Sequence, residues 1–259
     1  MTNAVVSSRI EQVVDAFLTP SPPRQRLPLA LPGGRTLHID TPVGEVALMR
    51  AGTGPTVLLL HGWEGQASDM AAFTEPLLDA GFTVVAMDLP AHGASSGRQT
   101  PIPESAVALR TVADVLGSLH AVITHSVGSP VLVEALYAGM SAQRVVLLAA
   151  PAYYEHYARG FAAAAGLDER ETETMLKLLR ENKGIDVTEI SLPARARHLN
   201  QPALFIHSGD DRIVPIKDSI DSASAWPGAR HLRVDGLGHR RILTDTDVVN
   251  NAIDFVVSQ

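Results

Sequence analysis

The stretch AVITHSVG, Ala121 to Gly128, decides how the rest of the chain is read. Ala121 to Ile123 is a short apolar run, too brief for a helix and suited to a buried strand, while Val131, Leu132, Ala135 and Leu136 recur at helical spacing. Ser126 is therefore expected at a strand-to-helix turn. A serine on such a turn holds its hydroxyl clear of the sheet, and the N-terminus of the following helix offers unpaired N–H groups and the positive end of its dipole. That geometry suits a nucleophile and an oxyanion. The signature of the turn is Gly-x-Ser-x-Gly, because side chains two places before and after the serine collide with neighbouring backbone. Here Gly128 supplies the second glycine and Thr124 stands in place of the first. The stretch alone does not separate a nucleophile from an ordinary turn serine.

Outward from this turn, buried-type strands are expected at Val57 to Leu60, Thr83 to Met87, Val145 to Leu148 and Ala203 to Ile206, with Leu232 and Val234 in a final strand. Amphipathic segments separate them. Met70, Phe73 and Leu77 mark one helix, Leu109, Val112, Leu116 and Leu119 another, and Val248, Val249, Ala252, Ile253 and Val256 a closing helix whose N-cap candidates lie in Thr244 to Asp247. Strands that are apolar throughout and alternate with helices imply an α/β fold, a mostly parallel twisted sheet with helices on both faces. Thr36 to Thr41 and Glu45 to Met49, separated by Pro42 and Gly44, fit an antiparallel hairpin at the sheet edge.

Two segments fall outside this rhythm. Ile10, Val13, Val14, Phe17 and Leu18 share a helical face, and Pro20, Pro22 and Pro23 end that helix in a stiff connector. Residues 1–27 are accordingly expected to form an accessory helix and connector lying on a main domain of residues 28–259. Between Pro151 and Gln201 run about 50 residues without a strand signal, more than a usual crossover needs. Tyr153, Tyr154, Tyr157 and Phe161 cluster at the start of this insertion. Asp168 and Glu171 form a capping-box start for a helix with Met175, Leu176 and Leu179 on its apolar face, and Gly184 ends it. At about 152–200 the insertion is expected to be a short helical cap over a pocket.

The chain of 259 residues is 46% hydrophobic and 19% charged with a formal net charge of −7, which suits one globular α/β domain and not a nucleic-acid surface. With no cysteine, thiolate metal sites, disulfides and a cysteine nucleophile are excluded. The histidines lack His-x-x-x-His spacing, so neither a metal nor a cofactor is expected. Arg9, Glu11 and Asp15 interrupt any leader-like run, and no run of about 18 apolar residues occurs. A cytoplasmic protein without a membrane span is expected.

In open α/β sheets, functional residues gather beyond the carboxyl ends of strands. After the first buried strand comes His61-Gly62-Trp63-Glu64-Gly65, whose glycines let the N–H of Trp63 turn toward that of Val127 as an oxyanion hole. Glu64 is then either a solvated loop residue or a carboxylate that orients water or a basic group. After the second comes Asp88 to Gly93, read as structural, with Asp88 holding loop N–H groups. After Ala203 to Ile206 comes His207 to Pro215, which contains Asp210 and Asp211, and after the last strand comes Gly236-Leu237-Gly238-His239. Ser126, Asp211 and His239 thus each follow an expected strand, in the chain order serine, acid, histidine.

With these motifs in order, the sequence resembles the α/β-hydrolase family from about Val57 to the C-terminus. The resemblance implies Ser126 as nucleophile, His239 as general base and Asp211 as orienting acid. Asp211 is preferred because the family's acid precedes a run ending near a Val-Pro pair, here Val214-Pro215, and Asp210 stays open as the alternative. His125 and His61 are expected to pack or hydrogen-bond. The implied activity is hydrolysis of a carboxylic ester, thioester or lactone of a small to medium acyl substrate through an acyl-enzyme. Hydrolysis of a carbon–carbon or amide bond, and a slow-turnover small-molecule sensor, remain alternatives. Oligomeric state and natural substrate are not specified at this level.

Overall fold

The computed structural model describes residues 3–22 and 29–258, without the side chains of 3–8. Pro20 and Pro22 follow the end of helix α1 (Asn3–Leu18), while Pro23 and the expected boundary at 27/28 lie outside the described residues. A hairpin of β1 (Arg35–Thr41) and β2 (Gly44–Ala51) follows, antiparallel with Thr41 opposite Gly44. Next come β3 (Thr56–Leu60), a 3-10 segment (Ala67–Phe73), α2 (Thr74–Asp79), β4 (Thr83–Met87), α3 (Ile102–Leu116), β5 (Leu119–His125), α4 (Gly128–Tyr137) and β6 (Arg144–Leu148). Three helices then intervene: α5 (Tyr154–Ala164), α6 (Glu169–Lys183) and α7 (Leu192–Ala196). The chain finishes with β7 (Ala203–Ser208), α8 (Ile216–Ala225), β8 (Arg230–Val234), α9 (Gly238–Arg241) and α10 (Thr246–Val257).

The strands form one sheet of eight in the order β1-β2-β4-β3-β5-β6-β7-β8. Pairing is antiparallel as far as β4 and parallel from there on. Strand periodicity explains why the central strands are apolar at every position. Leu58, Leu60, Val122, Val145, Leu147 and Phe205 enter a core with α1 and α3 to α7 on one face, while Val57, Leu59, Ala121, Ile123, Val146 and Leu148 meet α2 and α10 on the other. Burying both faces brings the carboxyl ends of β3, β5, β7 and β8 to one edge of the molecule, where the loops carry the polar motifs.

The sequence reading needs correction at two helices. Met70, Phe73 and Leu77 do not share one helix: a 3-10 segment covers the first two, and α2 starts afresh at Thr74. Pro76 has no N–H to donate to the carbonyl of Ala72 and its ring crowds that carbonyl, so a continuous α-helix through this point is disfavoured. Leu119 is not part of the helix of Leu109 and Val112. Gly117, at φ 78°, ends α3, and Leu119 opens β5.

In the insertion, the N–H of Glu171 donates to Asp168 Oδ1 at 2.8 Å and the N–H of Asp168 to Glu171 Oε2 at 3.0 Å, a reciprocal cap that starts α6. Gly184 ends it in the left-handed conformation. Among the described residues no helix is long and apolar enough to cross a membrane.

Candidate active site

At the end of β5 the chain reverses on Ser126, which lies at φ 49°. A non-glycine residue in this region stores about 1–3 kcal/mol of strain and persists only when its surroundings hold it there. The holding is visible on both sides: the N–H of Ser126 donates to the Leu148 carbonyl at 2.9 Å, and its own carbonyl accepts the N–H of Ser129 at 2.8 Å. Gly128 is required by close approach, since a Cβ there sits 2.7 Å from the His61 carbonyl oxygen and 3.1 Å from that of Leu60. Thr124 fits because its hydroxyl bonds Ser129 Oγ at 2.8 Å and lies 3.3 Å from the Val146 carbonyl, so the polar atom it adds to a fully buried site is satisfied.

Asp211, His239 and Ser126 form a continuous hydrogen-bonded series. His239 Nδ1 is 2.7 Å from Asp211 Oδ2, and its Nε2 is 3.0 Å from Ser126 Oγ. The Asp211 carboxylate is fully buried; its Oδ1 accepts the N–H groups of Ile213 at 2.8 Å and Val214 at 3.0 Å. Burial pushes this carboxyl up, but hydrogen bonding from His207, His239, Val214 and Ile213 outweighs it and holds the group ionised well below the usual carboxylate range. Asp210 points elsewhere. Its Oδ1 accepts from Ser208 Oγ and from the N–H of Gly238 at 3.0 Å, and Ser208 Oγ also takes the N–H groups of Leu237 and Gly238, each at 3.1 Å. Asp210 thus fixes the loop that presents His239.

The neighbouring histidines are neutral struts. Burial drives His125 down to about 3, and the adjacent His239 acts in the same direction. Its Nε2–H donates to the His239 carbonyl at 2.9 Å and its ring lies 4.8 Å from that of His239, so it supports the His239 backbone. His61 is likewise lowered to about 3 by burial. It donates from Nδ1 to the Gly62 carbonyl at 2.7 Å and accepts the N–H of Leu89 at Nε2, 3.0 Å away, bracing the loop of Trp63. Asp88 ties that loop to the next one by accepting the N–H groups of Ala67 at 2.7 Å and Ala94 at 2.8 Å.

Trp63, Ser126 and Val127 line one cavity of about 570 Å³. The N–H groups of Trp63 and Val127 donate no hydrogen bond among the described residues, which leaves two unused backbone donors on residues that line the cavity with the serine. The walls are mainly apolar: Ile102, Pro130, Tyr154, Phe161, Ile190 and Val214 face the space, and among the described residues no Lys or Arg does so. Residues of the insertion, Ala152, Tyr154, His156, Tyr157, Gly160 and Phe161, roof it. They are fastened to α8 through Asp218, whose Oδ2 accepts the N–H of Ala152 and the hydroxyl of Tyr157, both at 2.9 Å.

Several participants were not legible beforehand. Glu64 is half-buried and makes a contact: its Oε1 accepts the N–H of Ser21 at 3.1 Å, joining the connector after α1 to the loop of Trp63. His207 Nε2 donates to the Val214 carbonyl at 2.9 Å and lies 3.3 Å from Asp211 Oδ2; the only advance signal was their spacing of four residues. Phe17 of α1 lines the cavity, a contact that no local motif announces.

The sequence model of the alpha/beta hydrolase family matches residues 57–252, from β3 into α10, and so leaves out α1 and the first hairpin. A pimeloyl-[acyl-carrier protein] methyl ester esterase of Stenotrophomonas maltophilia is 27% identical over 86% of this chain and 96% of its own. Its counterpart in Xanthomonas campestris pv. campestris strain B100 is 28% identical over 86% of this chain and 99% of its own. Among solved structures, an esterase of Pyrococcus furiosus superposes with a TM-score of 0.71 at 20% identity, covering 91% of this chain and 98% of that one, which speaks to the fold alone. With a family match across most of its length, a strained serine turn after the fifth strand and the parallel sheet that carries it, the chain belongs to the α/β-hydrolase family.

Proposed function

We propose that this enzyme is a serine hydrolase that cleaves a carboxylic ester of a small to medium acyl substrate through an acyl-enzyme. The observation that carries this reading is the series Asp211–His239–Ser126, with links of 2.7 and 3.0 Å, ending in a mainly apolar cavity of about 570 Å³. Ser126 Oγ is the nucleophile. His239 Nε2 takes its proton, and Asp211 fixes the His239 tautomer that donates from Nδ1 and stabilises the imidazolium that forms. The N–H groups of Trp63 and Val127 receive the oxyanion of the tetrahedral intermediate. His239 then gives its proton to the leaving alkoxide and activates the water that releases the acid. The esterase names of the curated relatives support ester hydrolysis over carbon–carbon or amide cleavage and over a sensing role.

The cavity also bears on substrate class. With Asp218 and, among the described residues, no Lys or Arg on its wall, it suits an uncharged acyl chain better than one ending in a carboxylate. We also place the hydrolase body at residues 28–259, its cap at about 152–200 and an appended helix and connector at 1–27. The test is a series of p-nitrophenyl esters from acetate to decanoate. Many turnovers per protein, with an optimum at short to medium chains, are expected; turnover indistinguishable from buffer across the series overturns the reading.

A further inference from the structure

Helix α1 lies outside the region matched by the family, yet it is built into the cavity. Phe17 faces the cavity while being 92% buried, and its ring lies 5.3 Å from that of Tyr154 and 5.4 Å from that of Phe161, both on α5 of the cap. The rest of the helix is tied down on three further sides. Midway along it, Arg9 donates to the carbonyls of Ala165 at 3.2 Å and Gly166 at 2.8 Å, in the turn after α5, and reaches Glu171 in the first turn of α6 at 3.4 Å. Farther along, Asp15 pairs with Arg98 and accepts from Gln99, and the Leu18 carbonyl accepts the N–H of Thr100, a cavity residue, at 3.0 Å. Beyond the helix, the N–H of Ser21 bonds Glu64, next to Trp63. These ties hold the Phe17 ring in place, so it behaves as a fixed wall.

We propose that Phe17 is a specificity-determining residue of the acyl subsite, so that the N-terminal helix sets the length of acyl chain this enzyme accepts. The proposal rests on the esterase reading above. Of the cavity residues, Ile102 and Phe17 are buried, at 1% and 8% exposed, whereas Ile213 is 59% exposed and Phe161, beside Phe17, 37%. We take the buried Phe17–Ile102 part of the wall as the enclosed side and Ile213 as the open one. The acyl group stays covalently attached through both half-reactions while the alcohol must leave after the first, so the enclosed side suits the acyl chain and the open side the leaving group. Arg9 touches no cavity atom and acts as a positioning residue, through the seating of α1 on the cap.

The experiment compares kcat/KM for p-nitrophenyl butyrate and p-nitrophenyl octanoate in the wild type, Phe17→Ala, Phe17→Trp and Arg9→Ala. Each additional methylene that finds an apolar wall is worth about fourfold in kcat/KM. Phe17→Ala is therefore expected to raise the octanoate-to-butyrate ratio by about tenfold, equivalent to fewer than two such groups. Phe17→Trp is expected to lower the ratio, and Arg9→Ala to raise it by a smaller factor than Phe17→Ala. Thermal unfolding and fluorophosphonate labelling establish that each variant is folded; if Phe17→Ala is not, Phe17→Leu and Arg9→Ala carry the comparison. A ratio that stays within about twofold of wild type in a folded Phe17→Ala protein overturns the proposal. So does a change seen only when the alcohol of alkyl acetates is lengthened. A wild type that hydrolyses none of these esters overturns the functional reading itself, an outcome distinct from either of these.

Discussion

Replacing Asp211 by Asn, with Asp210→Asn alongside, separates two adjacent carboxylates to which the structure gives different work. In Asp211→Asn the amide oxygen can keep the N–H groups of Ile213 and Val214, which now bond Oδ1 at 2.8 and 3.0 Å. The amide NH2 then faces His239 Nδ1, where the carboxylate now sits at 2.7 Å. A donor in that place requires Nδ1 to be the acceptor and moves the imidazole proton to Nε2, the atom 3.0 Å from Ser126 Oγ. His239 then has no lone pair for the serine proton. A wrong tautomer of this kind lowers kcat by about 10⁴, or about 5 kcal/mol of transition-state stabilisation. Asp210 bonds Ser208 and the N–H of Gly238, so Asp210→Asn is expected to cost no more than about tenfold by loosening the His239 loop. The assay is kcat and KM on p-nitrophenyl butyrate, with circular dichroism and thermal melts to establish folding. A kcat for Asp211→Asn within a hundredfold of wild type, or a larger loss in Asp210→Asn, refutes the reasoning.

Gly128→Ala places a Cβ 2.7 Å from the His61 carbonyl oxygen, which is backbone and cannot swing aside; a shift of the serine turn and a loss of about 10² in kcat at nearly unchanged KM are expected from steady-state kinetics. Thr124→Val removes the hydroxyl that bonds Ser129 Oγ at 2.8 Å in a fully buried site, and urea unfolding is expected to show a loss of about 1–2 kcal/mol. Stability is expected to fall in acid. His61 and His125 are held near 3 in the fold against an ordinary value of 6.5, so between these limits the unfolded chain binds more protons and each residue costs up to about 1.4 kcal/mol per pH unit as pH falls. The two together amount to about 4 kcal/mol from pH 7 to pH 5. The depressed Asp211 adds a further loss once pH passes below the usual carboxylate range. A urea midpoint that stays level or rises on acidification to pH 5 contradicts these assignments.

Much of the architecture was readable because its causes are local. Central strands buried on two faces must be apolar at every position, and Leu58 and Leu59 announce this without reference to anything distant. The cap helix starts at Asp168 and stops at Gly184 for reasons contained within its own residues. The order of serine, acid and histidine was legible because a parallel sheet delivers successive strand ends to one edge. What escaped depends on long-range contact. Nothing near Phe17 indicates that its ring meets Tyr154 and Phe161, because that approach is set by where the cap lies. The tie of Glu64 to the connector has no local signal either, since its partner, the N–H of Ser21, is 43 residues earlier in the chain. The break before α2 was missed because the apolar spacing of Met70, Phe73 and Leu77 continues through the point where Pro76 resets the backbone.

The claim on which the rest depends is that Ser126 becomes covalently bonded during turnover. Incubation with a fluorophosphonate followed by peptide mass spectrometry tests it directly. One phosphonyl group on the peptide containing Ser126, loss of esterase activity in step with labelling, and no labelling of a folded Ser126→Ala protein are expected. Labelling at another residue, or a Ser126→Ala protein that turns over p-nitrophenyl butyrate at the wild-type rate, contradicts the account.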